Sequence, residues 1–162
     1  MNNLQLTQMP VAETAMLIRR PVAEVFEAFI DPAITSKFWF TRGSGRLEPG
    51  EQVQWDWEMY DLSIQVSVKA IEEHKRILIE WPAYDGKTTT TVEWIFTARS
   101  DNTTFVSITN TGFSGNGDEA VKQAIGSTEG FTFVLAGLKA VLEHNVALHL
   151  IADRSPKDPE KL

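Results

Sequence analysis

Five tryptophans, an asparagine set among β-branched residues and three histidines are the side chains here most suited to hold or transform another molecule. Trp39, Trp55, Trp57, Trp81 and Trp94 each combine a large apolar surface with one N–H donor, which suits amphipathic ligands. For any single one, filling a core is the simpler reading. Asn110 lies in register with Val106 and Ile108 and should point inward, where a buried amide needs partners. Those partners are either backbone near Gly112 or the polar group of a ligand.

The histidines offer less. His74 follows Glu72 and Glu73 at a strand end and reads as a turn residue. His144 and His149 are five apart, so they do not stack as an i, i+4 metal pair would, and no third ligand is evident. No metal site and no cofactor are expected. Neither Gly43-Ser-Gly45 nor the Gly112–Gly117 cluster leads into the lysine of a phosphate loop, and no nucleophile elbow occurs. The second glycine cluster gives the chain freedom before its last helix, and a gate to a pocket is one use for that freedom. No catalytic residue is assigned. Asn110 with Tyr60 or Tyr84 comes nearest to a general-base arrangement, and it is weak.

The elements that must position these residues follow from periodicity. Val11 to Ile18 fits a strand. Pro21 suits the first turn of a helix carrying Val22, Val25, Phe26 and Phe29. Asp31-Pro32 ends it and starts a second short helix, with Asp31 as N-cap and with Ile34, Phe38 and Trp39 on board. Trp39 would then cap a cavity mouth. After turns at Gly43, Gly45, Pro49 and Gly50 the period becomes two. Val53, Trp55 and Trp57 share one strand face. Leu62, Ile64, Val66 and Val68 alternate in the next strand, and Ile77, Ile79 and Trp81 line a third. Thr88 to Thr97 places Val92, Trp94 and Phe96 on one face. Asp101-Asn102 turns the chain into Thr103 to Thr111. From Asp118 to about Ile151 the spacing is helical, with Val121, Ile125, Phe131, Val134, Leu135, Leu138, Val141 and Leu142 on one stripe. Gly126 and Gly130 predict a kink or loosened start near Ser127.

One-sided strands at short spacing imply an antiparallel sheet with one covered face, and the long helix is the cover. The expected fold is α+β: a curved antiparallel sheet around a C-terminal helix. Residues 1–10 read as an N-terminal extension, 11–154 as a single domain and 155–162 as a polar tail. With 162 residues and no cysteine, the chain can bury a core without disulfides. Its formal charge of −7 argues against nucleic acid. The apolar stretches read as too short for a membrane span, and a soluble, cytoplasmic protein is expected.

Several motifs in this order resemble the START-like, or SRPBCC, group of helix-grip domains. Within it they are most similar to the family named after the C-terminal domain of the activator of heat-shock-protein-90 ATPase. They are Arg20 to Phe26, Asp31-Pro32, Phe38-Trp39, Arg76 to Trp81, Thr104 to Phe113, Glu129-Gly130-Phe131 and Leu138 to His144. The likeness spans roughly Val11 to Arg154. It implies a fold and a cavity rather than a reaction, because relatives include lipid carriers, polyketide cyclases, hormone receptors and a co-chaperone. The eukaryotic co-chaperone looks like a two-domain construction, so its activity is not carried over with the family name.

An open pocket of ~300 Å³ would cost up to ~7 kcal/mol at ~24 cal/mol per Å³. Any cavity should therefore be filled by ligand, by water or by side-chain collapse. The expected wall comprises Trp39, Trp55, Trp81, Trp94, Phe96, Asn110, Phe113, Phe131, Leu135 and Leu138. The expected partner is a small hydrophobic or amphipathic ligand, with the protein a monomer or weak homodimer. A cyclase- or hydrolase-type enzyme using the same cavity, and a chaperone-interacting module, are the alternatives.

Overall fold

The computed structural model describes residues 4–83 and 85–157. Tyr84 and the last five residues of the expected tail lie outside the described residues. Seven antiparallel strands form one curved sheet in the order β1-β7-β6-β5-β4-β3-β2. They are β1 (Ala12–Ile18), β2 (Arg42–Gly43), β3 (Gln52–Trp57), β4 (Leu62–Glu72), β5 (Arg76–Pro82), β6 (Thr89–Ala98) and β7 (Thr104–Thr111). Helices α1 (Val22–Ile30) and α2 (Pro32–Thr35) follow β1, and α3 (Gly117–His144) and α4 (Leu150–Arg154) close the chain. A 3-10 turn, Glu58–Tyr60, joins β3 to β4.

Alternation sets the inner face of the sheet, as a period of two requires. Val53, Trp55 and Trp57 are buried on β3, Val66 and Val68 on β4, Ile77 and Ile79 on β5. Val92, Trp94 and Phe96 are buried on β6, and Val106, Ile108 and Asn110 on β7. The pattern slips once, at a bulge between Val68 and Ala70. Leu62, expected inward, is exposed because it starts β4 just after the left-handed turn residue Asp61.

Helix α3 starts on a capping box: Asn116 accepts from the Glu119 N–H at 2.9 Å, and the Glu119 carboxylate accepts from the Asn116 N–H. It is continuous through Ser127, so the expected kink is absent. Its buried stripe is Ala120, Ala124, Phe131, Val134, Leu135, Gly137 and Leu138. Ile125, expected on that stripe, is 66% exposed. Six residues before Phe131 it lies about 120° around the axis, and Ala124 takes the inward place. The helix also ends earlier than its spacing predicts. Asn145 adopts a left-handed conformation (φ 54°) and the chain reverses before α4. Arg154 thereby reaches Glu129 at 2.8 Å, a residue that a continuous helix would leave about 37 Å behind.

Over 28 residues, α3 is long and apolar enough to cross a membrane, contrary to the expectation that no stretch would be. The reason is its place as the core helix gripped by the sheet. Its apolar stripe meets β1 and β7.

The β1 edge is partly closed by the same helix. Lys139 Nζ donates to the Leu17 carbonyl at 2.9 Å, and Glu143 Oε2 accepts from the Arg19 N–H at 2.9 Å. Lys139 and Glu143 also pair with each other at 2.7 Å. Desolvation works to raise the Glu143 pKa, but the Arg19 N–H and Lys139 outweigh it and hold the carboxyl below its ordinary value. The opposite edge, β2, is only two residues long, which leaves little to pair with.

Candidate functional site

Nine of the ten expected wall residues, all but Phe113, are carried by three elements: the inner sheet face, α3, and the segment after α2. That segment departs from expectation. α2 ends at Thr35, so Phe38 and Trp39 follow it in turns held by bonds from both their N–H groups to the Thr35 carbonyl. Gly137 of α3 makes room for them. A Cβ there would lie 3.1 Å from Phe38 Cβ and 3.3 Å from its carbonyl oxygen. Trp39 thus sits among the rings rather than over them and is 8% exposed. Its ring centroid is 4.8 Å from Trp55, 5.6 Å from Phe131, 5.9 Å from Trp81 and 6.0 Å from Trp94.

The other rings complete the cluster. Phe131 stacks on Trp81 at 5.8 Å and meets Trp94 edge-on at 6.1 Å. Phe40 stacks on Trp55 at 4.9 Å, and Phe29 reaches Trp94 at 5.7 Å. Such tilted and T-shaped contacts are the favoured geometries for quadrupolar rings. Phe96 packs against Phe26 and Phe29 deeper along β6, and Leu135 and Leu138 are fully buried beside it in the same core. Phe113 belongs instead to a smaller cluster with Ala12, Ala120 and Ala124. The space between sheet and helix is thus filled by aromatic side chains.

Polar groups inside this shell are few. Asn110 is 3% exposed. Its Nδ2 donates to Thr90 Oγ1 at 3.1 Å and to the Thr91 carbonyl at 2.9 Å, while its Oδ1 accepts from Ser127 Oγ at 2.8 Å. Trp81 Nε1 also donates to Thr90 Oγ1, at 2.9 Å. Trp94 Nε1 differs from all of these. Trp94 is 1% exposed and its buried N–H has no hydrogen-bond partner among the described residues. An orphaned buried donor costs about 1–3 kcal/mol.

Sequence reasoning missed Phe29, Phe40, Thr90 and Ser127 as wall residues. Two of them left a signal. Thr90 is in step with Val92 and Trp94, and Ser127 falls between Ala124 and Phe131 at helical spacing.

The remaining candidates lie apart. The Tyr60 hydroxyl is 2.8 Å from the Ser155 carbonyl and 3.1 Å from that of Ile151, tying the β3–β4 connection to α4, and it is not among the hydrogen-bond partners of Asn110. His74 has φ 61° in the β4–β5 turn, with its ring edge-on to Phe26 at 5.6 Å. His144 closes α3, and His149 precedes α4. The loop before α3 is tethered: Ser114 Oγ lies 3.3 Å from Asp85, and its carbonyl accepts from Gln123 at 2.9 Å. Bonds from the Thr88 and Lys87 backbone hold the Asp85 carboxyl below its ordinary pKa.

Two open surface clefts are also present. One, of about 630 Å³, is lined by Ala23, Glu24, Ile34, His74, Val141 and Leu142 among others. The second, of about 440 Å³, lies between Pro10-Val11 and the Val121–Glu129 stretch of α3. Neither is lined by any of the ten expected wall residues.

A long helix gripped by a curved, seven-stranded antiparallel sheet is the fold the sequence motifs implied. The profile of the family described as Activator of Hsp90 ATPase homolog 1-like protein matches residues 19–143. The chain belongs to this family. Among solved structures, the family member is similar to protein SSP2350 from Staphylococcus saprophyticus, with 32% identity and a TM-score of 0.71. The match covers 85% of this chain and 95% of that one. It is also similar to DynU16, a putative protein in the dynemicin biosynthetic locus (20% identity, TM-score 0.73, 85% of this chain and 49% of that one). The Aha1 dimer from Colwellia psychrerythraea shares 16% identity at a TM-score of 0.70, over 84% of this chain and 98% of that one. These last two likenesses concern the fold alone. A comparison with curated proteins gives no match.

Proposed function

We propose that this protein binds a small, largely apolar molecule between sheet and helix, and that Trp94 Nε1 donates the hydrogen bond that orients it. The observation that carries this reading is the unpartnered, buried N–H of Trp94, whose ring lies among those of Phe29, Trp39 and Phe131. The ligand supplies the acceptor, and the rings of Trp55, Trp81 and Phe131 supply the apolar contact. Asn110 serves a supporting role, since its amide is already bonded on three sides. Trp39 stands on a short non-helical segment, and its displacement makes the volume that the ligand occupies.

The test uses the neutral fluorescent naphthyl ketone Prodan, which carries one strong acceptor. Wild-type protein should bind it with a blue shift in probe emission, and Trp94→Phe should bind it about three- to tenfold more weakly, as one neutral hydrogen bond predicts. Native mass spectrometry of the purified protein should show a co-purifying small molecule lost in the same variant. No uptake by wild type, or equal uptake by Trp94→Phe with its fold intact by circular dichroism, sinks the reading.

A further inference from the structure

The cleft of about 630 Å³ lies where α1, the segment after α2, the β4–β5 turn and the end of α3 meet. Its apolar lining is Ala23 and Ile34 from the two short helices and Val141 and Leu142 from α3. Ile34, Val141 and Leu142 are half-buried and pack against the main core.

The polar lining divides into groups already engaged and groups left free. Arg20 holds both carboxylate oxygens of Glu24, and Arg46 holds both of Glu27. Lys37 and Asn145 are exposed, and among the described residues neither side chain has a hydrogen-bond or ion-pair partner. His74 Nε2 lies 3.7 Å from Glu73 Oε1, beyond hydrogen-bonding distance, while its ring is seated edge-on against Phe26 at 5.6 Å. The cleft thus keeps an ammonium, an imidazole and a carboxamide, each able to donate. With both carboxylates matched by arginines, the charge left over is that of Lys37. The negative end of α3 is also muted there, since the Asn145 and Val146 N–H groups take the Val141 and Ala140 carbonyls at 3.0 and 3.2 Å.

We propose that this cleft binds a small monocarboxylate with an apolar body. Lys37 supplies the charge that holds the carboxylate, His74 and Asn145 supply further hydrogen bonds, and Ala23, Ile34, Val141 and Leu142 cover the body. None of these residues belongs to the ring cluster around Trp94, so this site and the interior one stand or fall separately.

Amide NMR titration of the full chain with octanoate, and with octanol as its uncharged counterpart, tests it. Octanoate should move the backbone signals of Lys37, His74, Leu142 and Asn145 to saturation. Octanol should bind there about tenfold more weakly, as the loss of one charge-assisted hydrogen bond predicts. Lys37→Glu should weaken octanoate by about tenfold and leave octanol within about twofold of wild type. His74→Asn should weaken octanoate by about threefold. Ala23→Trp, at an exposed position of α1, should block both probes by filling the cleft. Octanoate shifts that never saturate, or that are confined to the indole N–H signals of the interior tryptophans, overturn the proposal. So does an octanol affinity equal to that of octanoate, or full octanoate affinity in a Lys37→Glu variant whose spectrum is otherwise that of wild type.

Discussion

Ser127 Oγ on α3 donates to Asn110 Oδ1 on β7 at 2.8 Å, which makes the asparagine a pin between the sheet and the helix it grips. The same amide holds β6 through Thr90 and Thr91. Removing the serine hydroxyl leaves a buried carbonyl short of its donor. Ser127→Ala should therefore lower unfolding free energy by about 1–2 kcal/mol in urea denaturation. Asn110→Leu should cost more, because Thr90 and the Thr91 carbonyl lose a donor as well.

The seat of Trp39 is set from the helix side by Gly137. Adding one methyl there presses on the Phe38 backbone, and overpacking of this kind costs about 1–3 kcal/mol. Gly137→Ala should lower the melting temperature and shift tryptophan emission, since the displaced segment carries Trp39 out of its ring contacts. Unchanged emission with an unchanged melting temperature contradicts the packing described.

The start of α3 should be fragile in a graded way. Asn116→Ala breaks the capping box and should cost about 1 kcal/mol. Gly115→Ala should cost more. Its φ is +96°, and a Cβ there would lie 2.0 Å from Glu119 Oε2, so the substitution strains the backbone and dislodges the same box. Thermal melts of the two variants check the order.

Glu143 gives a pH signature. Its folded pKa lies below the ordinary 4.5, held there by the Arg19 N–H and Lys139 against its own desolvation. A carboxyl with a depressed folded pKa binds more protons when unfolded, so its stabilisation is complete above 4.5 and fades as pH falls through the folded value. Glu143→Gln should be less stable than wild type at neutral pH, and the gap should narrow in strong acid. A gap that is constant with pH, in denaturation at both ends of the range, contradicts the ion pair.

The strands and their inner faces were legible because β-structure advertises itself in alternation. Val92, Trp94 and Phe96 declare one face without any knowledge of neighbours. The helix end was illegible for the opposite reason. Val146, Leu148 and Ile151 continue an apolar rhythm past His144, while the stop is made by the backbone of Asn145 in a left-handed turn. Trp39 was misplaced because Ser36 to Phe40 has no period to read, and its position comes from a glycine almost a hundred residues away. The inward turn of Asn110 could be read from register. Its partners could not, since Thr90 and Ser127 meet it only once the sheet curves around α3. Ile125 shows how a spacing argument fails by one step: Ala124 offers the helix a closer seat on the sheet.

The order of the sheet also fixes the order of events on the ribosome. β1 is the first strand made, yet its partner β7 begins at Thr104, opposite Ile18, and the clamp on its outer edge waits for Lys139 and Glu143. At roughly 5–20 residues per second, Ala12–Ile18 spends on the order of ten seconds as an apolar segment with both edges bare. The nascent sheet is thus most vulnerable at this strand. Ribosome-bound chains halted before β7 should expose that strand to protease, while chains extended through α3 should hide it.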